Sequence, residues 1–165
     1  MTAHPEPERP TFPGYGISTA PDGLLPWDWA VARLTDSHNY WLATTNADGS
    51  PHLAAVWAVW FDGQLCFSTG ARSRKARNLA ADPRCTLSPE SAVESVVVRG
   101  VARPVTRPDE RSRLSRAYAD KYGDGLPPGE PVYTVAPQAA IGLIERDGLF
   151  TRSATRWRLE TPRLS

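Results

Sequence analysis

The segment that decides the fold is YWLATTNADGSPHLAAVWAVWFDGQLCFST, residues 40–69. It contains three runs rich in apolar, aromatic and β-branched residues, and the sequences Asp48-Gly49 and Asp62-Gly63 separate them. Such pairs favour tight hairpin turns, because glycine accepts the positive φ values that these turns require. The segment therefore predicts three antiparallel strands, residues 40–45, 52–61 and 64–69, joined as a meander.

Further strands are predicted on the C-terminal side of this meander. They cover residues 84–88, 95–103, 132–135, 139–145 and 155–159, where apolar and β-branched residues recur. Three short helices are predicted from Pro26 to about Ser37, over residues 73–81, and from about Thr106 to Tyr122. The order of these short strands and three helices lacks the strict alternation of a parallel sheet. It predicts a mostly β (α+β) fold, a small antiparallel barrel in which closure removes exposed sheet edges.

The prolines divide the chain into an arm and a domain. Six of the 16 prolines lie within the first 26 residues, and proline lacks the backbone donor that helices and sheets need. We predict an extended Pro-rich arm over residues 1–23, lying on the body of the protein or on a partner subunit. The remaining residues, 24–165, are predicted to form one domain.

Composition excludes several classes of protein. The 19 cationic and 18 acidic residues give a net charge of +1, which does not favour nucleic-acid binding driven by bulk charge. No apolar run approaches the roughly 18 residues of a membrane-spanning helix, and residues 1–13 lack the apolar core of a secretory signal. Cys66 and Cys85 do not make a disulfide framework, so a cytoplasmic location is predicted. The three histidines lack metal-ligand spacing, and no metal site is predicted.

A basic cluster follows the third strand of the meander. The segment between Asp62 and Asp82 has no acidic residue and carries four cations. These are Arg72, Arg74, Lys75 and Arg77, a local charge of +4. The cluster joins a strand end, hydroxyl groups, Gly70 and a helix N-terminus, and together such groups can bind a phosphate. A solvated basic helix face is the alternative interpretation.

Five short motifs lie in order along the middle of the chain. They are a DG-x-PH turn at 48–52, the apolar strand 56–60, Phe67-Ser68-Thr69, an S-x-K-x-x-N-L pattern at 73–79, and Asp82-Pro83-Arg84. Their order and spacing resemble the pyridoxamine 5′-phosphate oxidase-like superfamily of flavin and deazaflavin oxidoreductases, over about residues 24–160. The resemblance implies a split β-barrel of the FMN-binding-protein type. It also implies a homodimer with the cofactor groove at the interface, and a small-molecule substrate.

The same resemblance implies a set of cofactor-binding residues, carried over motif by motif. The phosphate would contact Ser73, Arg74 and Lys75, after the hydroxyl pair Ser68 and Thr69. The strand beside the cofactor ring contains His52, Ala55, Val56, Trp57 and Ala58. Arg77 and Asn78 continue the helix motif, and Arg156 and Trp157 match the arginine and aromatic residue that a partner subunit contributes in the family.

Three departures distinguish the chain from the FMN-using oxidases of the superfamily. The strand Leu53–Ala58 has no cation, Ser95 stands where those enzymes place a glutamine, and the segment that grips pyridoxine phosphate is not recognisable. The motifs resemble more closely the branch of the superfamily that binds coenzyme F420, a deazaflavin with a long anionic tail. Four cations also suit such a tail better than a single phosphate does. We predict an F420-dependent oxidoreductase that transfers a hydride between F420 and an unsaturated small molecule. An FMN-dependent oxidoreductase and a non-catalytic F420- or haem-binding protein are the alternatives.

No residue is predicted to be catalytic, because in such enzymes the cofactor carries the chemistry and the protein binds and orients. His52 either lines the groove or is a half-buried strand residue. Cys66 and Cys85 are predicted to be buried small residues, since no base stands beside them in the sequence. Trp57 and Trp60 either fill the core or form the groove wall.

Overall fold

The computed structural model describes residues 4–159, which form nine strands and four helices. In chain order these are β1 (Pro7–Glu8), α1 (Trp27–Asp36), β2 (Tyr40–Thr45), β3 (Pro51–Val56), β4 (Val59–Phe61), β5 (Gln64–Ser68), α2 (Arg74–Ala81), β6 (Arg84–Pro89), β7 (Glu94–Pro104), α3 (Pro108–Tyr122), β8 (Val132–Ile144), α4 (Phe150–Ser153) and β9 (Thr155–Arg158). Residues 1–3 of the predicted arm and 160–165 of the predicted domain lie outside the described residues.

The strands form an antiparallel split β-barrel, as the sequence predicts. The main sheet has the order β1-β9-β8-β7-β6-β2-β3, and β5 pairs with both β4 and β8. Strand β8 connects the main sheet to the β4–β5 hairpin, because its residues 132–135 pair with β5 and its residues 139–142 pair with β9. Strand β3 is at the end of the main path, with β2 as its partner there.

Strand β8 corrects the prediction of two separate strands at 132–135 and 139–145. It is one strand with an irregularity, since Gly100 pairs with Pro137 while Arg99 pairs with Ala139, which leaves Gln138 as the extra residue. Pro137 lacks a backbone donor and makes the sequence look interrupted at this point. Gly100 permits the close approach, because a Cβ there would lie 2.4 Å from the Ala136 carbonyl oxygen.

Both predicted hairpin turns are confirmed. Gly49 has φ of 82°, and in the second turn Asp62 and Gly63 have φ of 49° and 74°. The predicted strand 52–61, by contrast, is wrong as a single strand, because β3 ends at Val56 and β4 begins at Val59.

The core contains the apolar face of α1, as its spacing predicts. Trp27, Ala30 and Leu34 are buried on this face. Trp27 packs edge-on against Trp157, with ring centroids 5.4 Å apart, and against Trp60, at 6.2 Å. These contacts attach the helix to both parts of the barrel.

The N-terminal arm forms sheet pairing that the sequence does not predict. Pro7 and Glu8 form β1 and pair with Trp157 and Arg156 of β9. The Arg9 side chain then donates to four backbone carbonyl oxygens, those of Ala20, Asp22, Arg152 and Ala154. The arm therefore lies along the body of its own chain. Two smaller differences are α4, which has no sequence signal, and α3, which begins at Pro108 rather than near Thr106.

Candidate functional site

The candidate site is centred on the 68–73 turn, which links β5 to α2. Ser73 caps α2, since its Oγ accepts from the Ala76 backbone N–H at 3.1 Å. The Thr69 and Ser73 hydroxyl oxygens lie 3.1 Å apart, and the Ser73 N–H donates to the Gly70 carbonyl oxygen at 2.9 Å. The turn therefore presents two hydroxyl groups beside the positive end of a helix dipole.

A carboxylate already occupies one donor of this turn. The Ala71 N–H donates to Oε2 of Glu130 at 2.7 Å. Glu130 belongs to the loop 123–131, and Arg111 fixes this loop by donating to the Glu130 and Pro127 carbonyl oxygens at 2.9 and 2.6 Å. The contact shows that the backbone of the turn is oriented to bind an anionic oxygen.

The four cations of the basic cluster lie on the outer side of α2 and its approach. Ala76 and Leu79 are buried, whereas Arg72, Arg74 and Arg77 are exposed and Lys75 is half-buried. None of the ion pairs among residues 4–159 involves any of the four cations. Their charges are thus available to an anionic ligand.

Arg74 lies close to the β2–β3 turn. Hydrogen bonds from Ser50 are the main reason that the pKa of Asp48 is lowered, and the positive charge of Arg74 contributes to the same effect. Arg74 therefore lies on the side of the hairpin that begins β3, the strand expected to run along the cofactor ring.

Asn78 has a different environment from the cations around it. Its side-chain amide donates to Thr44 Oγ1 and Asn46 Oδ1, both at 3.0 Å, and Thr44 Oγ1 lies 3.4 Å from Nδ1 of His52. Asn78 and Thr44 are both buried. This network links α2 to β2. The Asn78 amide nitrogen donates within the network, so Asn78 positions the helix rather than facing a ligand. His52 is half-buried at the end of the same network.

The expected cofactor strand, β3, has alternating exposure. Ala55 is exposed and Val56 is buried, and the strand ends in the two-residue break Trp57–Ala58. The Trp57 side chain is 47% exposed, whereas Ala58 is fully buried. Of the two tryptophans weighed for the groove wall, Trp57 is the exposed one, and Trp60 packs against the core.

The C-terminal part of α3 supplies two residues of the site, Tyr118 and Tyr122, that the sequence motifs do not indicate. The Tyr118 hydroxyl donates to the Trp57 carbonyl oxygen at 2.6 Å and accepts from the Ser68 N–H at 3.3 Å. It therefore links the strand break to the first residue of the 68–73 turn. The Tyr122 ring stacks on the Trp57 ring, with centroids 4.5 Å apart and an interplanar angle of 3°. The only sequence signal was the apolar stripe of α3.

Arg156 and Trp157 are placed elsewhere by the structure. Trp157 is fully buried in the core of its own chain and has no exposed surface for a ligand. Arg156 and Arg158 both donate to the Glu8 carboxylate of the arm, at 3.0 and 2.6 Å. These contacts are the main reason that the pKa of Glu8 is lowered. In this chain, therefore, Trp157 belongs to the core and Arg156 to the contact between β9 and the arm.

The cysteines have no chemistry of their own in this structure. Both are free and buried, and burial raises the pKa of each thiol to about 12. Such thiols stay protonated and are poor nucleophiles. Residues 4–159 contain no group of three or more His, Cys, Asp or Glu side chains placed to hold a metal ion. None of the helices in the same range is long and apolar enough to cross a membrane.

Fold and site together define a split β-barrel protein in which the 68–73 turn binds the carboxylate of Glu130 and four cations lie beside it. The family model described as pyridoxamine 5′-phosphate oxidase matches residues 28–145, and the chain belongs to that family. Proteins of this family bind flavin-like cofactors and are often dimers.

Solved structures agree with this assignment. A conserved hypothetical protein from Mycobacterium tuberculosis has a TM-score of 0.68 and 24% identity, over 77% of this chain and 89% of that one. A protein named F420 reductase has a TM-score of 0.54 and 28% identity, over 66% and 93%. A haem-binding protein from Mycobacterium smegmatis has a TM-score of 0.62 and 22% identity, over 75% and 56%. The two matches below 25% identity support the fold alone.

Proposed function

We propose that the protein binds coenzyme F420 and is an oxidoreductase that transfers a hydride between F420 and an unsaturated small molecule. The observation that carries this proposal is the set of four cations, none of them ion-paired within residues 4–159, next to the 68–73 turn. The similarity to an F420 reductase at 28% identity supports the choice of cofactor.

The donor set of the turn fits an anionic group. The Ala71 N–H already binds a carboxylate, and the hydroxyls of Thr69 and Ser73 are adjacent to it in the turn. Ser73, Arg74 and Lys75 would hold the phosphate, while Arg72 and Arg77 add charge for a longer anionic tail. When bound, F420 supplies a hydride from its deazaflavin ring.

The other predicted residues would orient the ligand. Ala55, Val56 and Ala58 would place the backbone of β3 and its break beside the ring, since β3 lies at the end of the main sheet path. Trp57 offers ring surface for stacking, because it is 47% exposed although Tyr122 covers one of its faces. Ser68 and Asn78 act through their contacts, which fix the two ends of the site. The protein thus contributes binding, orientation and exclusion of water.

A second subunit is part of this proposal. The outer face of β2 and β3 exposes Trp41 by 46% and Leu53 by 61%, which is unusual for large apolar side chains on a sheet. Beside them an open groove of about 640 Å³ crosses the outer face of β2, β6, β7 and β8, and Arg84 and Arg99 line it. None of the predicted cofactor residues lines this groove. A partner of the same chain would cover the apolar face and complete the site.

A non-catalytic binder is the second candidate. The hydroxyls of Tyr118 and Tyr122 are engaged with backbone groups, so neither is free to give a proton to a substrate. Turnover of an enone or a quinone with reduced F420 would exclude this candidate. A Soret band in the purified protein would instead indicate haem, and a flavin spectrum would indicate FMN.

The test of the proposal is the variant Arg74→Ala/Lys75→Ala. Removing two cations from the turn should weaken F420 binding by about tenfold or more, since each charge-assisted contact contributes roughly 1 kcal/mol. Arg116→Ala is the matched control, because Arg116 is exposed on α3 and takes part in none of the ion pairs among residues 4–159. Equal F420 affinity for the double variant and this control, measured by fluorescence titration, would contradict the proposal.

A further inference from the structure

The break between β3 and β4 depends on side chains from the last turn of α3. Ala58 is fully buried, so its backbone groups need partners that neither strand supplies. The Ala58 N–H donates to the Tyr122 hydroxyl at 3.0 Å, and the Ala58 carbonyl oxygen lies 2.8 Å from that hydroxyl and 3.0 Å from Nζ of Lys121. The helix therefore takes the place of a neighbouring strand.

Lys121 is fully used by this arrangement. Its ammonium has three donors, and it lies 3.0 Å from the Thr35 carbonyl oxygen, 3.0 Å from that of Ala58 and 2.7 Å from the Tyr40 hydroxyl. Tyr40 is fully buried and donates in turn to the Leu34 carbonyl oxygen at 2.7 Å. The ammonium thus joins α1, β2 and the strand break to α3.

The identity of this cation is informative. The chain contains 17 arginines and two lysines, Lys75 and Lys121. Three acceptors around one point match a compact ammonium, whereas a planar guanidinium with five donors would leave some of them unpaired. The ammonium also lies 4.8 Å from the Tyr40 ring centroid and 5.4 Å from that of Tyr122. The ammonium therefore contacts the Tyr122 ring, which stacks on the Trp57 ring.

We infer that Lys121 is a positioning residue, which holds the Trp57–Ala58 break and the Tyr122 ring so that the exposed part of Trp57 is a fixed stacking surface for a planar ring. The class of ligand follows from the geometry, because Tyr122 covers one face of the indole while the Trp57 side chain stays 47% exposed. His38 closes one side, with its ring edge-on to both, at 5.7 Å from Trp57 and 5.2 Å from Tyr122. The identification of that ring as a deazaflavin or its substrate rests on the proposed function.

Lys121 also provides a readout that a purely structural contact would not have. Burial lowers the pKa of Lys121 to about 8, and the carboxylate of Asp36 on α1 opposes this shift. The titratable groups facing the ammonium are Asp36 of α1, Tyr40 of β2 and Tyr122 of α3. Tyr118 and His38 contact the Tyr122 ring in turn. A neutral amine has two hydrogens for three acceptors. The hydrogen bonds from Lys121 that hold the Trp57–Ala58 break therefore weaken as the pH rises through about 8.

The experiment follows Trp57 by fluorine NMR of protein labelled with 5-fluorotryptophan. The chain has six tryptophans, and Trp57→Phe assigns the resonance of interest. We expect this resonance to shift with a midpoint near pH 8 in the parent protein and in Arg116→Met. The shift should be absent in Lys121→Met, and also in Lys121→Arg, which keeps a cation at this position and does not titrate in this range.

Several results would overturn the inference. A Trp57 resonance that does not titrate in the parent protein would overturn it. A titration that persists in Lys121→Arg would also overturn it, and this variant replaces Lys121→Met if the latter does not fold. His38→Gln is measured in parallel, and loss of the titration in that variant would assign the effect to the imidazole instead.

Ligand binding gives the second measurement. Lys121→Met should weaken F420 binding by about threefold to tenfold, the range expected for loss of an ordered aromatic contact, with Arg116→Met unchanged. Equal affinities in the two variants would contradict the stacking role. If the parent protein binds neither F420 nor FMN, the proposed function fails, while the fluorine titration still decides the role of Lys121.

Discussion

The 68–73 turn shows how much of a binding site depends on single residues. Ser73 is both the cap of α2 and the partner of the Thr69 hydroxyl, so one side chain starts the helix and orients the turn. Glu130 opposes the binding of an anionic ligand, because its carboxylate already accepts the hydrogen bond from the Ala71 N–H. The net strength of the site therefore depends on the balance between the four cations and this one acid.

The balance can be tested with Glu130→Gln. The amide keeps the shape of the side chain and an acceptor for the Ala71 N–H, but it removes the negative charge. We expect F420 to bind about twofold to fivefold more tightly, as for removal of one unfavourable charge at a helix N-terminus. Fluorescence titration at low ionic strength measures the effect, and added salt should reduce it.

The matched control is Glu145→Gln, which removes a negative charge from an exposed residue after β8. Weaker binding by Glu130→Gln, or a gain no larger than that of the control, would show that Glu130 does not compete with the ligand.

Residues with local roles were predictable, whereas residues with distant partners were not. Ser73 as a cap follows from its place before α2, and the structure confirms it. Lys121 could not be placed in the same way, because its acceptors on Thr35, Tyr40 and Ala58 lie 86, 81 and 63 residues away along the chain. The burial of Trp157 likewise depends on α1, at the other end of the sequence.

Strand β8 is the element that makes the barrel split. It changes partner from β5 to β9 around Pro137 and Gln138, while β7 stays paired along its length. Gly100 of β7 faces this point, and its lack of a side chain allows the close approach of the Ala136 carbonyl. The geometry of the junction thus depends on one glycine.

Gly100→Ala should destabilise the protein by about 1–3 kcal/mol, the usual cost of forcing a methyl group into a packed site. The added Cβ would lie 2.4 Å from the Ala136 carbonyl oxygen and 2.8 Å from Cγ1 of Val135. Because the first of these is a backbone atom, the strand itself must shift. Urea unfolding followed by tryptophan fluorescence gives the change in free energy of unfolding.

Gly70→Ala is the control for this substitution. The nearest atom to its added Cβ is Glu130 Oε2 at 3.9 Å, and Gly70 is not among the positive-φ glycines. Its stability should stay within about 0.5 kcal/mol of the parent, because alanine there meets no clash. A Gly100→Ala protein as stable as Gly70→Ala would show that β8 can shift freely at the bulge.

Most of the elements were predictable because their signals are local. The Asp-Gly turns, the helix periodicity and the valine-rich β7 each lie within a few residues of one another. The break at Trp57–Ala58 has no such signal, since the apolar run continues through it and its hydrogen-bond partners lie on α3. Strand β1 is hidden for a related reason, because its two residues include a proline and pair with the far end of the chain.

At the scale of the whole molecule, the exposed outer face of β2 and β3 predicts assembly. Leu53→Glu places a charge in the centre of this face, where a partner subunit would bury it without compensation. We expect the parent protein to sediment at twice its chain mass of 18.1 kDa and the variant to sediment as a single chain. Analytical ultracentrifugation measures both.

Val93→Glu is the control, since Val93 is 45% exposed and lies in the loop before β7. It should leave the mass of the assembly unchanged. A parent protein that sediments as a single chain would contradict the proposed dimer, and so would a Leu53→Glu protein that remains dimeric.

The most direct test of the proposed function compares F420 and FMN as ligands of the unmodified protein. Both are titrated under the same conditions, with binding followed by cofactor fluorescence and by calorimetry. The four cations and the absence of a cation on β3 predict that F420 binds more tightly than FMN and that added salt weakens F420 more strongly. Tighter binding of FMN, or no binding of F420, would contradict the account.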